Sequence, residues 1–256
     1  ENNGTFSARE GTVTFNGSDD QIFTPGSSSY YNIILNNAGG DDKLLTIAGN
    51  LVIDNDLTLT DGTLDLDTND PDISIAGDLA IADAAVWTKG NGTATFAGAT
   101  QSLSDGNTTP NDLGTALINS TQMTVTTDAT FTSVQISSAS ITIVNPSISF
   151  TVNGALTITG ELEMADGSVV DAGGDVTVAA AGTLDMDGTA RLKMEENLSF
   201  SGTMEASNTS RIDLDGFSLQ TISGSATPAF NSLFCSSSAS EFNLTATIND
   251  TLDAGG

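Results

Sequence analysis

Three short stretches place two aspartates one residue apart: GTLDLD with Asp65 and Asp67, GTLDMDG with Asp185 and Asp187, and RIDLDG with Asp213 and Asp215. In an extended strand alternate side chains share a face, so each pair presents both carboxylates to one side, outward if the Leu or Met between them points in. Paired carboxylates are hard oxygen donors of the kind Ca²⁺ takes, above all where neighbouring strands bring pairs together. Without a cation, the same stacking sets like charges opposite one another, which is unfavourable. The alternative is that these are solvated outward positions that confer solubility and block lateral aggregation. No loop has the EF-hand spacing. DNDLTLTDG, residues 54–62, starts like a Ca²⁺ loop but lacks the acidic residue at the required offset and reads more simply as two turns around a strand. No cofactor is required, and Ca²⁺ is the one ion the pairs would take.

Other chemistry is sparse. A polysaccharide lyase needs a basic residue beside carboxylates, and only Arg191 and Lys193, near Asp185 and Asp187 in sequence, offer that neighbourhood. Charge balance between adjacent strands explains them equally well. Thr-x-Thr pairs at Thr12/Thr14, Thr58/Thr60, Thr93/Thr95, Thr124/Thr126 and Thr157/Thr159 are of the kind that orders water on an ice-binding face. Their spacing is not constant, so they read as good strand formers on an exposed face. The chain has no His, hence neither the commonest general base nor the commonest transition-metal ligand. Nucleophile motifs and phosphate-binding Gly loops are absent, and no enzymatic activity is expected. Lone Cys235 in SLFCSSS reads as a small buried thiol.

The elements that carry these residues announce themselves as a repeat. TVTFNGSDDQI at residues 12–22 returns as TATFAGATQSL at 93–103 and as RIDLDGFSLQTI at 211–222. Each copy is an alternating strand, a Gly turn, and a Gln (Gln21, Gln101, Gln220) followed by apolar residues. The following segments correspond too: YYNIILNN, LGTALINS and FNSLFCSS. Residues 1–256 are therefore expected to be one domain with three super-repeats starting near 11, 92 and 210. Around the copies, runs such as LLTIAGNLVIDNDLTLTDGTLDL set short strands a few residues apart between Gly, Asn and Asp turns, with no helical periodicity.

Such strands lie too close together for helical crossovers. Parallel pairing without helices requires a coil whose turns stack on one another, an all-β parallel β-helix or β-solenoid. A rung of about 20 residues predicts roughly a dozen rungs spaced by about 4.8 Å. Residues 105–112 are expected to protrude as a loop. A solenoid leaves strand edges open at its ends, and neither terminus reads as a cap. Written head to tail, TATINDTLDAGG followed by ENNGTFSAREGTVTFNG resembles the lead-in to the second copy. The chain is thus expected to be one period of a tandem array or of a polymer, stacking near Phe6, Val13 and Phe15 at one end and Leu244, Ile248 and Leu252 at the other.

GTVTFNGSDDQIF, YYNIILNN, NDLTLTDGTLDL and NGTFSAREGTVTF resemble the Asn/Gly/Thr-rich repeats of large prokaryotic surface and adhesin-like proteins. That resemblance implies a right-handed parallel β-helix with a structural role at the cell surface or outside the cell, and carries over no catalytic residues. A formal net charge of -27, from 33 acidic and six basic residues, repels nucleic acid and anionic lipid, and the longest apolar runs are too short to span a membrane. The partners expected are copies of the chain itself, with glycans on the Asn-x-Ser/Thr sites at Asn3, Asn16, Asn91, Asn107, Asn119, Asn197, Asn208, Asn243 and Asn249 if the source glycosylates Asn. The expected function is that of a subunit of an extracellular filament. A stalk segment of a giant adhesin is the alternative, and a polysaccharide-active enzyme a distant third.

Overall fold

The computed structural model describes residues 4, 6–37, 43–207, 209–235, 240–243 and 247–253. The described residues contain strands, turns and bends but no helix, and their ladders are parallel. The fold is an all-β parallel β-solenoid of about 10 turns. The count is lower than a dozen because many rungs run longer than 20 residues: Leu57 pairs with Leu79, 22 residues on, and Ile33 with Leu57, 24 on. Contacts group the chain into two compact units, one of Glu1–Met123 with Ala129–Phe131, the other of Thr124–Asp128 with Thr132–Gly256.

The second unit is the more regular. Ile141–Val144, Glu161–Met164, Thr183–Met186 and Thr203–Ala206 form one sheet. A second holds Ser133–Ile136, Leu156–Ile158, Val176–Val178, Leu198–Phe200, Gln220–Ser223 and Ser240–Asn243. The third holds Ser149–Val152, Val169–Ala172, Arg191–Met194, Arg211–Leu214, Ala229–Cys235 and Thr247–Asp253. Because side chains alternate and the ladders keep register, like sits on like: Leu162 faces Leu184, Val176 faces Leu198, and Val170, Leu192, Ile212 and Leu233 form one column. Leu162, Leu184, Val176, Leu198, Val170 and Leu192 are wholly buried. Each such side chain stabilises the coil by roughly 1.5–3 kcal/mol relative to exposure.

The first unit winds similarly but less evenly. Thr12–Phe15, Asn32–Asn36, Leu57–Asp65, Leu79–Ile81 and Thr100–Asp105 share a sheet, and Ser29–Tyr30, Leu51–Ile53, Ile73–Ile75, Thr93–Phe96 and Thr115–Ile118 share another. Gln21–Phe23, Leu44–Ile47 and Ala85–Thr88 complete the rungs. The long strand Leu57–Asp65 turns a corner: its first half pairs with Asn32–Asn36 and its second with Leu44–Ile47. Gly62 makes that bend, with φ +86 and a neighbouring Asn37 Cβ that would lie 2.9 Å from any added methyl.

The corners explain the wealth of Asp and Asn. At one corner Asn32 Oδ1 accepts the Asp56 N–H, Asp56 Oδ1 the Asp78 N–H, and Asp78 Oδ1 the Ser102 N–H. Asn50, Asp72 and Thr93 repeat the scheme at another corner, as do Asp175, Asn197 and Thr221 in the second unit. Each carboxylate or amide oxygen satisfies a main-chain donor of the next rung where the ladder is interrupted.

Candidate functional site

The edge rung of the first unit is incompletely covered. Thr12–Phe15 pairs with Asn32–Asn36 along one side, and no other strand of the described residues lies along its second side. Its inward side chains, Val13 and Phe15, are only half-buried. At the equivalent positions Ala94 and Phe96 are 4% and 1% exposed, and Ile212 and Leu214 1% each. Around Phe15 runs a chain of rings: Phe15 tilts against Phe23 at 4.9 Å, Phe23 meets Tyr30 edge-on at 5.1 Å, and Phe6 stacks on Tyr30 at 4.9 Å. Phe6 is 40% exposed and Ile22 73%. Phe6, Val13 and Phe15 thus belong to one apolar edge. In the second unit Thr247–Asp253 pairs, among the described residues, only with Ala229–Cys235. There Ile248 is half-buried and Leu252 is 56% exposed. Leu244 lies outside the described residues.

The three sequence copies form one and the same element. Thr12–Phe15 pairs with residues 32–35, Thr93–Phe96 with Thr115–Ile118, and Arg211–Leu214 with residues 232–235, each in matching register. They sit on three different sheets, so what recurs is a corner and the strand leaving it. In two copies the glutamine is the staple of that corner. Gln101 Nε2 donates to the carbonyls of Ile75 and Gly77 at 2.9 and 2.5 Å, and its Oε1 accepts the Gly98 N–H. Gln220 Nε2 donates to Met194 and Glu196 at 2.7 and 3.1 Å, and its Oε1 accepts the Gly216 N–H. Recurrence marked these glutamines in the sequence, but not what they bind.

The aspartate pairs fall in unlike settings. Asp65 is buried at 6% exposure, not outward and solvated. Burial would raise its pKa, but the Thr68 and Thr46 hydroxyls and the Thr68 and Asp67 amides outweigh this and hold it below the ordinary carboxylate value. Asp67 is exposed. Asp213 is buried beneath two guanidiniums: Arg191 Nε lies 3.1 Å and Arg211 Nη2 3.0 Å from its Oδ2. Arg211 also lies over the Phe234 ring, 5.1 Å from its centre. Lys193 reaches Asp171 at 2.7 Å and Asp215 at 3.4 Å, which raises its pKa. Arg191 and Lys193 therefore serve this cluster rather than Asp185 and Asp187, from which a corner separates them.

No protein family, curated protein or solved structure matches the chain.

Asp185 stands in a different column. Glu163, Asp185 and Glu205 face one another on three successive strands, with Glu161 and Asp187 beside them. Burial, then Asp187, Glu205, Glu163 and Glu161, push the Asp185 pKa up to about 6, and burial with Glu161 and Asp187 raises that of Glu163. Among the described residues no three His, Cys, Asp or Glu side chains converge as a metal site. Of the glycosylation sequons, Asn16, Asn119 and Asn249 are exposed, Asn91 is exposed with its amide on Asp70 Oδ1, Asn107 and Asn197 are half-buried and use their amides in corner bonds, and Asn3, Asn208 and the side chain of Asn243 lie outside the described residues. Residues 105–112 expose Gly106, Thr108 and Thr109 but are tied down at their polar side chains: buried Asp105 accepts the Asn107 and Asn111 amides, and Asn107 Nδ2 donates to the Ala82 and Ala85 carbonyls. Cys235 is buried.

Proposed function

We propose that this chain is the structural subunit of an extracellular filament, stacking head to tail through its open β-solenoid edges. The observation that carries the reading is the half-buried Val13 and Phe15 on a strand paired along one side, where the same positions of the other two copies are sealed. A second rung laid on Thr12–Phe15 would extend the parallel ladder with main-chain hydrogen bonds and remove this apolar edge from water. The edge that Thr247–Asp253 leaves open is of the same kind, so the partner is another copy. A net charge of -27 would keep such filaments apart laterally and argues against nucleic acid as partner. An extracellular setting fits the scarcity of Lys and the abundance of Thr and Ser, and exposed Asn16, Asn91, Asn119 and Asn249 would be the accessible sites for glycans.

The second reading, a stalk segment of a giant adhesin-like surface protein, is favoured by the recurrence of one corner at three places. Electron microscopy of the purified chain with a denaturing gel of the same material separates the two. Thin fibres that dissolve into chains of 26.1 kDa support the filament. Fibres that run as one giant chain favour the stalk, and dispersed single molecules at high concentration refute non-covalent stacking.

A further inference from the structure

Gly98 and Gly216 are glycines for a reason visible in their surroundings. A Cβ on Gly98 would run into the Ala76 carbonyl oxygen, and one on Gly216 into that of Glu195. Those carbonyls belong to the preceding rung, and each is the middle one of three. The flanking carbonyls, Ile75 and Gly77 in one case, Met194 and Glu196 in the other, take the two hydrogen bonds from the glutamine amide. Glycine and glutamine together thus make a socket for three consecutive carbonyls at the end of a parallel strand. The glycine lets the middle carbonyl approach, and the amide grips the outer two.

The first copy has the same two residues without the rung. Gly17 stands where Gly98 and Gly216 stand, yet the three atoms nearest a Cβ on it would all belong to the side chain of Gln21, its Cδ at 3.0 Å. The glutamines of the other copies lie against their glycines just as closely, Gln101 Cγ at 3.0 Å and Gln220 Cδ at 3.1 Å. Gln21 is therefore already folded into the stapling position. Its Oε1 is buried and has no hydrogen-bond partner, because the Gly17 N–H is turned to Asn37 Oδ1 at 3.1 Å instead. A buried amide oxygen left unpaired is a cost that native structures rarely carry. Nor does Gly17 have a positive φ that would call for glycine.

We propose that Gly17 and Gln21 are the socket for the terminal rung of a second copy of this chain, which presents three consecutive main-chain carbonyls to them. The occupant is a parallel strand end, because that is what the two filled sockets hold, and Thr247–Asp253 is a strand of this kind with one edge open. Addition of the rung gives the Gln21 Nε2 two acceptors and lets the middle carbonyl pass within van der Waals distance of the Gly17 Cα; the Oε1, which a carbonyl cannot pair, is satisfied when the Gly17 N–H turns from Asn37 to it, the bond that Gly98 and Gly216 make in the filled sockets. The inference rests on the filament reading and adds to it the residues that fix the junction.

The test measures, by pelleting and light scattering, the concentration above which the full chain forms fibres, for wild type, Gln21→Leu and Gly17→Ala, and in parallel their thermal unfolding as dispersed molecules. Loss of two hydrogen bonds is expected to raise the critical concentration roughly tenfold in Gln21→Leu. Gly17→Ala is expected to block growth, since its methyl meets the incoming carbonyl. Both should unfold within about 1 °C of wild type, under the roughly 2 °C that 1 kcal/mol produces in a chain of this size, whereas Gly98→Ala and Gln101→Leu should unfold at clearly lower temperature. Fibres formed by both variants at the wild-type concentration would overturn the socket while leaving the filament standing. A wild-type chain that never assembles overturns both, and a wild-type fibre running as one giant chain on the denaturing gel replaces the second copy with a neighbouring segment of the same polypeptide.

Discussion

Two outward columns of the second unit obey one register rule and carry opposite chemistry. On the strands Glu161–Met164, Thr183–Met186 and Thr203–Ala206, Glu163, Asp185 and Glu205 face one another, all acidic. On Val169–Ala172, Arg191–Met194 and Arg211–Leu214 the sequence is Asp171, Lys193, Asp213, alternating in sign. In a coil with fixed register each outward position is multiplied down the column. A residue choice harmless on an isolated strand becomes repulsion in one column and a network in the other. In the acidic column the crowding pushes the Asp185 pKa up to about 6, and the alternating column is bound down by its own side chains.

The largest effect should come from breaking the alternating column. Asp213→Ala leaves Arg191 and Arg211 facing each other without their shared carboxylate. Since both guanidiniums remain partly solvated, a loss of about 2 kcal/mol is expected, read as a lowered midpoint in urea unfolding; an unchanged midpoint would mean that the arginines find other partners. Next in size is the pH response of the acidic column. The folded Asp185 pKa of about 6 lies above the ordinary 3.8, so the folded form takes up a proton before the unfolded form does, and stability rises as pH falls from 7 towards 4. Asp185→Asn should raise the unfolding temperature at pH 7 by the equivalent of about 1 kcal/mol after solvent screening and flatten the slope between pH 4 and 6; an unchanged slope would contradict the like-charge account. Asp65 works in the reverse sense, with a depressed pKa that contributes stability above 3.8 and loses it as pH falls further. The smallest effect is expected for Lys193→Met, which removes the links to Asp171 and Asp215: about 0.5 kcal/mol at low salt, fading at high salt. Lys193, with its raised pKa, contributes this below pH 10.5 and loses it as pH rises through the higher folded value.

The parallel coil was readable from the sequence because turn residues recur every few positions and leave no room for crossovers. The three corner copies were readable because their glutamines and flanking strands match. The partners of individual charges were not. Arg191 and Lys193 are nearest in sequence to Asp185 and Asp187, but the corner at residues 187–190 turns them onto another sheet, where Asp171 and Asp213 lie a whole rung away. Register partners on successive rungs lie 18 residues apart at Ala229 and Thr247 but 24 apart at Ile33 and Leu57, so no fixed offset finds such partners. Asp65 and Asp67 were expected on one outward face, yet the strand meets a corner at Asp65, and Thr68 and Thr46 close over it. The apolar edge was legible at Phe6, Val13 and Phe15, where alternation is clean. That Gly17 and Gln21 lack what Gly98 and Gln101 possess requires coordinates, since only the neighbours differ.

The corner ladder that begins at Asn32 runs one way. Every main-chain N–H in it points back to the side-chain oxygen of the earlier rung, from Ser102 to Asp78, from Asp78 to Asp56 and from Asp56 to Asn32. Such a ladder is a vector: each of its rungs turns a main-chain N–H toward the earlier rung and a side-chain oxygen toward the later one. Two like edges of such rungs brought together offer donor to donor or acceptor to acceptor. A two-fold symmetric pair is thereby disfavoured against a heterologous contact, which has no point of closure. Growth from a labelled seed should accordingly differ in rate at its two tips, as it does for any chain of arrows.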